Sequence, residues 1–269
     1  MDYHVKEFFS QFHDDTPKGN FHKVIPLHEE KLSWNAVVKL FPDMQKGWYE
    51  LSHLNVKDRI GFTLDFWIAQ LPYHPKICEF LTHFFNGLDD IGIYLSQRTF
   101  DSPYEAHMVY SLKGDAGFFK GCLPATDNEI DELKNRFPQF ILPSDYVDFL
   151  KIHNGFSKTT DTTGIIPTFR MPTSYSDFQA LIVEEGLLTT NRGTSIDPRK
   201  LLPFYESFGM PFYQCFWSEW YPEQEMGNVY YSDLTKSISD VECSDPSAEG
   251  MAFPTFSDWL MFYMEPVSQ

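Results

Sequence analysis

The stretch that decides the fold runs from Leu142 to Phe156 and reads Leu-Pro-Ser-Asp-Tyr-Val-Asp-Phe-Leu-Lys-Ile-His-Asn-Gly-Phe. Pro143 can open a helix, because the first helical N–H has no partner to lose. Apolar side chains then recur at spacings of three and four, as on one buried helix face: Tyr146, Phe149, Leu150 and Ile152. Asn154-Gly155 supplies the left-handed residue that helix C-termini favour. The stretch predicts a short buried helix that ends at Asn154-Gly155.

Helix and strand signals lie on both sides of this stretch. Thr126 followed by Glu129 three residues later is a capping box, and Thr255 or Ser257 can cap a last helix from Phe256 to Met264. Three apolar runs between them read as strands of a meander: Leu201–Tyr205, Phe212–Trp217 and Asn228–Ser232. We therefore predict that residues 122–269 form one α+β domain.

Residues 1–121 are predicted to form a separate, mostly helical region that ends in strands. Amphipathic spacing favours helices over residues 2–13 and 34–41, with a break at residues 14–20. Residues 58–71 fit a helix or a strand, and we interpret them as a helix that ends before Pro72; Pro75 then opens another. Three strand-like runs follow: Ile91–Leu95, His107–Leu112 and Gly117–Lys120.

The charge is large and uneven. The 269 residues carry a formal charge of −17. Residues 101–269 hold 11 Lys and Arg against 25 Asp and Glu, a net of −14, and residues 1–100 contribute the remaining −3. Such a field repels nucleic acid and anionic membranes and attracts basic proteins. The alternative is an acidic surface that only keeps the protein soluble.

Motifs of catalysis and metal binding are missing from the sequence. The four cysteines are far apart and form neither a disulfide framework nor a zinc motif. Asp89-Asp90, between Gly87 and a strand, reads as a solvated turn. We expect no catalytic residue, metal or cofactor.

A basic-then-apolar signal region and a run of ~20 apolar residues are also missing, which favours a cytoplasmic protein.

One further stretch stands out for its aromatic and acidic side chains. Residues 216–227 read Phe-Trp-Ser-Glu-Trp-Tyr-Pro-Glu-Gln-Glu-Met-Gly and should form a hairpin loop. Tyr and Trp are typical interface anchors, and loops on a rigid sheet often bind partners. The candidate partner-binding residues are Trp217, Glu219, Trp220, Tyr221, Glu223 and Glu225. The alternative is that Trp217 belongs to the core and that Trp220-Tyr221 covers the sheet edge.

The order of these segments resembles the SUKH superfamily, which joins fungal cell-wall-assembly regulators, the Syd protein and bacterial immunity proteins. The resemblance covers roughly residues 122–265. It starts at Glu129-Ile130 and includes five residues with a structural role: Pro143, Tyr146, Asn154, Gly155 and Trp259. The family's central strand often carries a Leu-Cys-Leu-Asp-like run, whereas this chain has Gln-Cys-Phe-Trp-Ser-Glu at residues 214–219.

The resemblance implies a mixed or antiparallel sheet with flanking helices and a non-catalytic protein-binding module. Many members neutralise toxins, often nucleases, by direct binding. We therefore expect a protein partner, such as a basic toxin, and neither nucleic acid nor membrane. A regulatory scaffold in signalling and an enzyme with a dispersed Asp, Glu and His site remain as alternatives. The partner's identity, the oligomeric state and the role of the N-terminal half stay open.

Overall fold

The computed structural model describes residues 1–12, 19–207, 212–241 and 251–265, and the chain divides into two units, residues 1–123 and 124–265. Most of the predicted helix break, residues 14–18, lies outside the described residues. That the two units are independent domains, with a boundary near residue 121, stays a prediction.

The first unit combines helices with an antiparallel sheet. Its helices are α1 (Tyr3–Phe8), α2 (Trp34–Leu40), α3 (Lys46–Ser52), α4 (Val56–Gln70) and α5 (Pro75–Asn86). Its strands are β1 (Lys23–Pro26), β2 (Leu88–Gln97), β3 (Tyr104–Leu112) and β4 (Phe118–Gly121). They pair in the order β1-β2-β3-β4. The predicted helix over residues 58–71 is confirmed as α4, whereas β1 and α3 were not predicted.

A buried ion pair ties α4 to the sheet of the first unit. The Arg59 guanidinium donates from two nitrogens to Asp90 Oδ1, at 3.2 and 2.7 Å, and a third nitrogen donates to the Leu54 carbonyl at 2.6 Å. Both side chains are buried. The prediction of a solvated Asp89-Asp90 turn was therefore wrong for Asp90. A buried carboxylate needs a partner, and α4 supplies one from 31 residues away.

The second unit is built on a mixed, mostly antiparallel sheet. Its strands are β5 (Phe156–Lys158), β6 (Gly164–Ile165), β7 (Thr189–Thr190), β8 (Leu201–Glu206), β9 (Phe212–Trp217), β10 (Asn228–Ser232) and β11 (Ser237–Ile238). Their order is β5-β6-β8-β9-β10-β11-β7, and only the β11–β7 pair of these is parallel. Its helices are α6 (Asp127–Arg136), α7 (Ser144–Leu150), α8 (Met171–Glu185) and α9 (Phe256–Met264). The predicted α+β class and the meander over residues 201–232 are confirmed.

Helices cover both faces of this sheet. Because strand side chains alternate between faces, Tyr213, Cys215 and Trp217 of β9 share one face. That face packs against Phe178 and Ile182 of α8. The opposite face carries Phe216, whose ring contacts Tyr146 of α7 at a centroid distance of 5.0 Å and Phe256 of α9 at 6.5 Å.

Helix α7 ends earlier than its sequence predicts. Lys151 is its C-terminal cap, so Asn154-Gly155 lies beyond the helix and does not end it. Gly155 does have the predicted positive φ, at 108°. The Asn154 side chain is instead used in a longer-range contact: its amide nitrogen donates to Thr168 Oγ1 at 2.9 Å, and its amide oxygen accepts from the Thr168 N–H at 2.7 Å. Both residues are buried.

Candidate functional site

The N-terminus of α7 is joined to that of α9 by Asp145. One carboxylate oxygen accepts from the Ser257 N–H at 2.7 Å, and the other accepts from the Tyr146 N–H at 2.9 Å. Burial raises the pKa of Asp145, although these N–H groups act in the opposite direction. The carboxylate therefore serves as an acceptor inside the unit and is not presented to a partner.

The residues predicted to be structural lie around this junction and below it. Pro143 directly precedes α7. Tyr146 is fully buried, and its ring contacts Phe204. Trp259 of α9 is also buried and packs edge-on against Phe204, with ring centroids 4.8 Å apart. Their positions are those of core residues that hold α7 and α9 on the sheet.

Five of the predicted binding residues belong to the β9–β10 turn, and Trp217 is the last residue of β9. We call residues 218–227 the acidic loop. Backbone hydrogen bonds close its base: Trp217 N–H to the Gly227 carbonyl at 3.0 Å, and Gly227 N–H to the Trp220 carbonyl at 2.9 Å. The ring of Trp220 lies against Gly227 so closely that an added Cβ would overlap it. Trp220 and Gly227 thus fix the shape of the loop.

Of the six candidate residues, two are packed against the core and four reach the surface. Trp217 is nine-tenths buried in the core that α8 covers, and Trp220 is partly buried against the same core. The remaining four reach the surface at least in part: Glu219, Tyr221, Glu223 and Glu225. Tyr221 is 41% exposed and lies between Glu219 and Glu223 along the loop.

Two contacts place the acidic loop beside other elements. Glu225 Oε1 accepts from Ser144 Oγ of α7 at 2.8 Å, and Glu219 lies 3.8 Å from Lys200 Nζ. Ile141, three residues before Ser144, is 70% exposed. Glu225 of the acidic loop therefore lies at the start of α7, and Ile141 is an exposed apolar side chain shortly before that helix.

A second polar cluster surrounds the carboxylate of Asp161. One oxygen accepts from Tyr205 Oη at 3.0 Å; the other accepts from Tyr263 Oη and, at 3.0 Å, from the Lys158 N–H. Burial raises the pKa of both tyrosine hydroxyls, so they remain protonated donors. The cluster holds the β5–β6 connection to β8 and α9, and nothing in it resembles a nucleophile with its base.

The described residues include no group of three or more His, Cys, Asp or Glu side chains placed to hold a metal ion. Over the same ranges, no helix has the length and apolar character needed to cross a membrane.

Comparison with protein families agrees with the signature around α7. The model of the SMI1 / KNR4 family (SUKH-1) matches residues 124–261. The chain belongs to this family. Searches of curated proteins and of solved structures gave no match. The resemblance to the SUKH superfamily over residues 122–265 is thereby confirmed. At the family level, membership supports a protein-interaction, immunity-like module, and SUKH members are generally non-catalytic immunity proteins.

Sequence reasoning missed a cleft in this SUKH-1 unit. It lies between α6 and the turn that precedes α8, has a volume of about 340 Å³, and we call it the α6–α8 cleft. Its lining residues are Glu129, Glu132, Leu133, Arg136, Thr168, Phe169 and Pro172. Phe169 is 73% exposed. A sequence does not show which phenylalanine side chains are exposed. Only the fold reveals that Phe169 is exposed and lies opposite α6.

Proposed function

We propose that this chain is an immunity-type protein that binds and neutralises a basic, nuclease-like toxin through the acidic loop. The observation that carries the proposal is the exposed Tyr221 among Glu219, Glu223 and Glu225, on a loop whose shape is fixed by Trp220 packed on Gly227. Membership of the SUKH-1 family supports a protein partner.

In the proposed mechanism, different residues steer the approach of the partner and contact it in the complex. The carboxylates attract a basic surface and speed encounter, while Tyr221 and Ile141 supply the apolar area that is buried on binding. Trp217 and Trp220 contribute by holding the loop. A nuclease must present cationic groups to phosphate. An acidic loop is therefore complementary to the phosphate-binding surface of a nuclease. Neutralisation follows if the loop occludes that surface.

The alternative of a signalling scaffold uses the same surface and differs only in its partner. The proposal places the protein in the cytoplasm, and the free thiols of Cys78 and Cys215 support a reducing compartment. No contact of the described residues favours the alternative of a dispersed catalytic site over binding.

The test is binding kinetics with the product of a neighbouring toxin-like gene. Replacing Glu219, Glu223 and Glu225 together by glutamine should lower the on-rate, and the on-rate of the parent should fall with salt, because charge steering is screened over ~8 Å at physiological ionic strength. Tyr221→Ala should act mainly on the off-rate, by roughly tenfold if it is an anchor.

The control carries the same charge change elsewhere. Asp131, Asp177 and Glu184 are exposed carboxylates on α6 and α8 and are not part of the acidic loop. Their joint conversion to amides should leave the on-rate close to that of the parent. If the loop and control variants slow association equally, only the overall charge acts; if the loop variants bind like the parent, the binding face lies elsewhere.

A further inference from the structure

The α6–α8 cleft has acidic and basic ends. Glu129, Glu132 and Arg136 lie at i, i+3 and i+7 of α6 and all line the cleft. At ~1.5 Å per helical residue, Glu129 and Arg136 are separated by about 10 Å along the axis. The cleft thus presents carboxylates near the start of the helix and a guanidinium near its end, with Leu133 between them.

The base of the cleft is held rigidly. Thr168, which lines it, is fixed by the reciprocal bonds with the buried Asn154. Glu129 is fixed as well, since its Oε2 accepts from the Thr126 N–H at 2.7 Å and from Thr126 Oγ1 at 2.8 Å. The turn that carries Phe169 therefore has a defined position relative to α6 before any ligand arrives.

Two groups of the cleft are available to a ligand. Phe169 is 73% exposed. Glu132 is also exposed, and its carboxylate accepts from Asn128 Nδ2, one turn earlier, at 2.8 Å. An exposed aromatic face beside a carboxylate, over an apolar floor formed with Leu133 and Pro172, matches the chemistry of a cationic side chain with an aliphatic stem.

We propose that the α6–α8 cleft receives an arginine or lysine side chain of the partner, an inference that rests on the proposed function because it assumes a basic partner. The cation lies against Glu132 and the ring of Phe169, and the stem covers Leu133 and Pro172. Arg136 repels the cation from the other end of the cleft and so sets the direction of entry. An anionic ligand fits less well, because two carboxylates line the cleft.

The experiment titrates the full chain with acetyl-Gly-Arg-Gly-amide and follows backbone amide signals by NMR. Saturable shifts are expected at Phe169 and Glu132. The matched citrulline peptide keeps the shape and loses the charge, so it should bind at least about fivefold more weakly. Glu132→Gln and Phe169→Ala should each weaken the arginine peptide by about fivefold.

Matched control variants are available on α6 and α8. Asp131→Asn removes an exposed charge from α6, and Val183→Ala removes an exposed apolar side chain from α8; neither residue lines the cleft. Both should bind like the parent. Equal binding of the citrulline peptide, or unchanged binding by the Glu132 and Phe169 variants, overturns the inference.

This outcome is separable from failure of the proposed function. If the peptide does not bind but the acidic-loop variants still slow association with the partner, the cleft assignment is wrong and the proposed function stands. If the peptide binds and the loop variants associate like the parent, the cleft is right and the acidic loop is not the binding face.

Discussion

Replacing Asn154 by alanine should destabilise the second unit by about 3 kcal/mol. The change removes two buried hydrogen bonds to Thr168 and leaves the Thr168 N–H without its acceptor. A buried donor left without a partner costs about 1–3 kcal/mol, and a hydrogen bond contributes about 1 kcal/mol. The control is Asn128→Ala, at an exposed position of α6, which should cost less than about 0.5 kcal/mol.

Asn154→Asp tests the same site by placing a second carboxylate close to Glu129. Asn154 Nδ2 lies 3.4 Å from Glu129 Oε1, and two unit charges at such a distance repel by about 5 kcal/mol at an effective dielectric constant of ~20. Side-chain movement reduces this value, so we expect a loss at neutral pH at least as large as that of Asn154→Ala. The loss should shrink towards pH ~4, where one carboxylate of a close pair takes up a proton.

The assay must report the second unit alone, because the chain has two units. Hydrogen exchange of the β9 and β10 amides gives that free energy of unfolding, measured for parent and variants at each pH. A loss for Asn154→Asp that is equal at about pH 4 and pH 7 would refute the close approach to Glu129. An unchanged stability for Asn154→Ala would refute the contribution of the buried bonds.

Two further predictions concern backbone strain and pH. Gly155→Ala should cost roughly 1 kcal/mol, because φ at Gly155 is 108° and a Cβ is disfavoured there; an unchanged denaturation midpoint would contradict it. His107 is buried in the first unit, and burial lowers its pKa despite the hydrogen bond that its ring N–H donates to the Glu105 carboxylate, which acts the other way. The unfolded histidine, with a pKa of about 6.5, takes up a proton first, so the first unit should lose stability as pH falls below about 6.5. His107→Gln should make that loss smaller in denaturation curves recorded from about pH 7.5 to pH 5, and an equal loss would assign it to other groups.

The sequence predicts those elements whose signals are local. The capping box of Thr126 and Glu129 is present, because both partners lie within one helical turn. The end of α7 was misplaced for the opposite reason. Asn154 reads as a C-terminal cap until its long-range partner Thr168, 14 residues further on, is known.

The candidate site could be predicted only in part. Aromatic and acidic residues mark the acidic loop in the sequence, but the burial of Trp217 depends on which face of β9 is covered by α8. The α6–α8 cleft was invisible because Glu132 and Phe169 come together only through the packing of distant segments. Long-range contacts therefore account for both the misplaced and the missed features.

Net charge alone would mislead the choice of variants. Asp145 and Asp161 belong to the acidic half of the chain, yet both carboxylates accept hydrogen bonds inside the second unit. Asp145 joins α7 to α9, and Asp161 holds the β5–β6 connection to β8 and α9. Changing either removes charge and also disturbs packing, so a slower association would have two explanations. Glu223 is exposed, and removing its charge alters the field with little effect on the core. Electrostatic steering must therefore be tested at exposed carboxylates, with stability measured beside every rate.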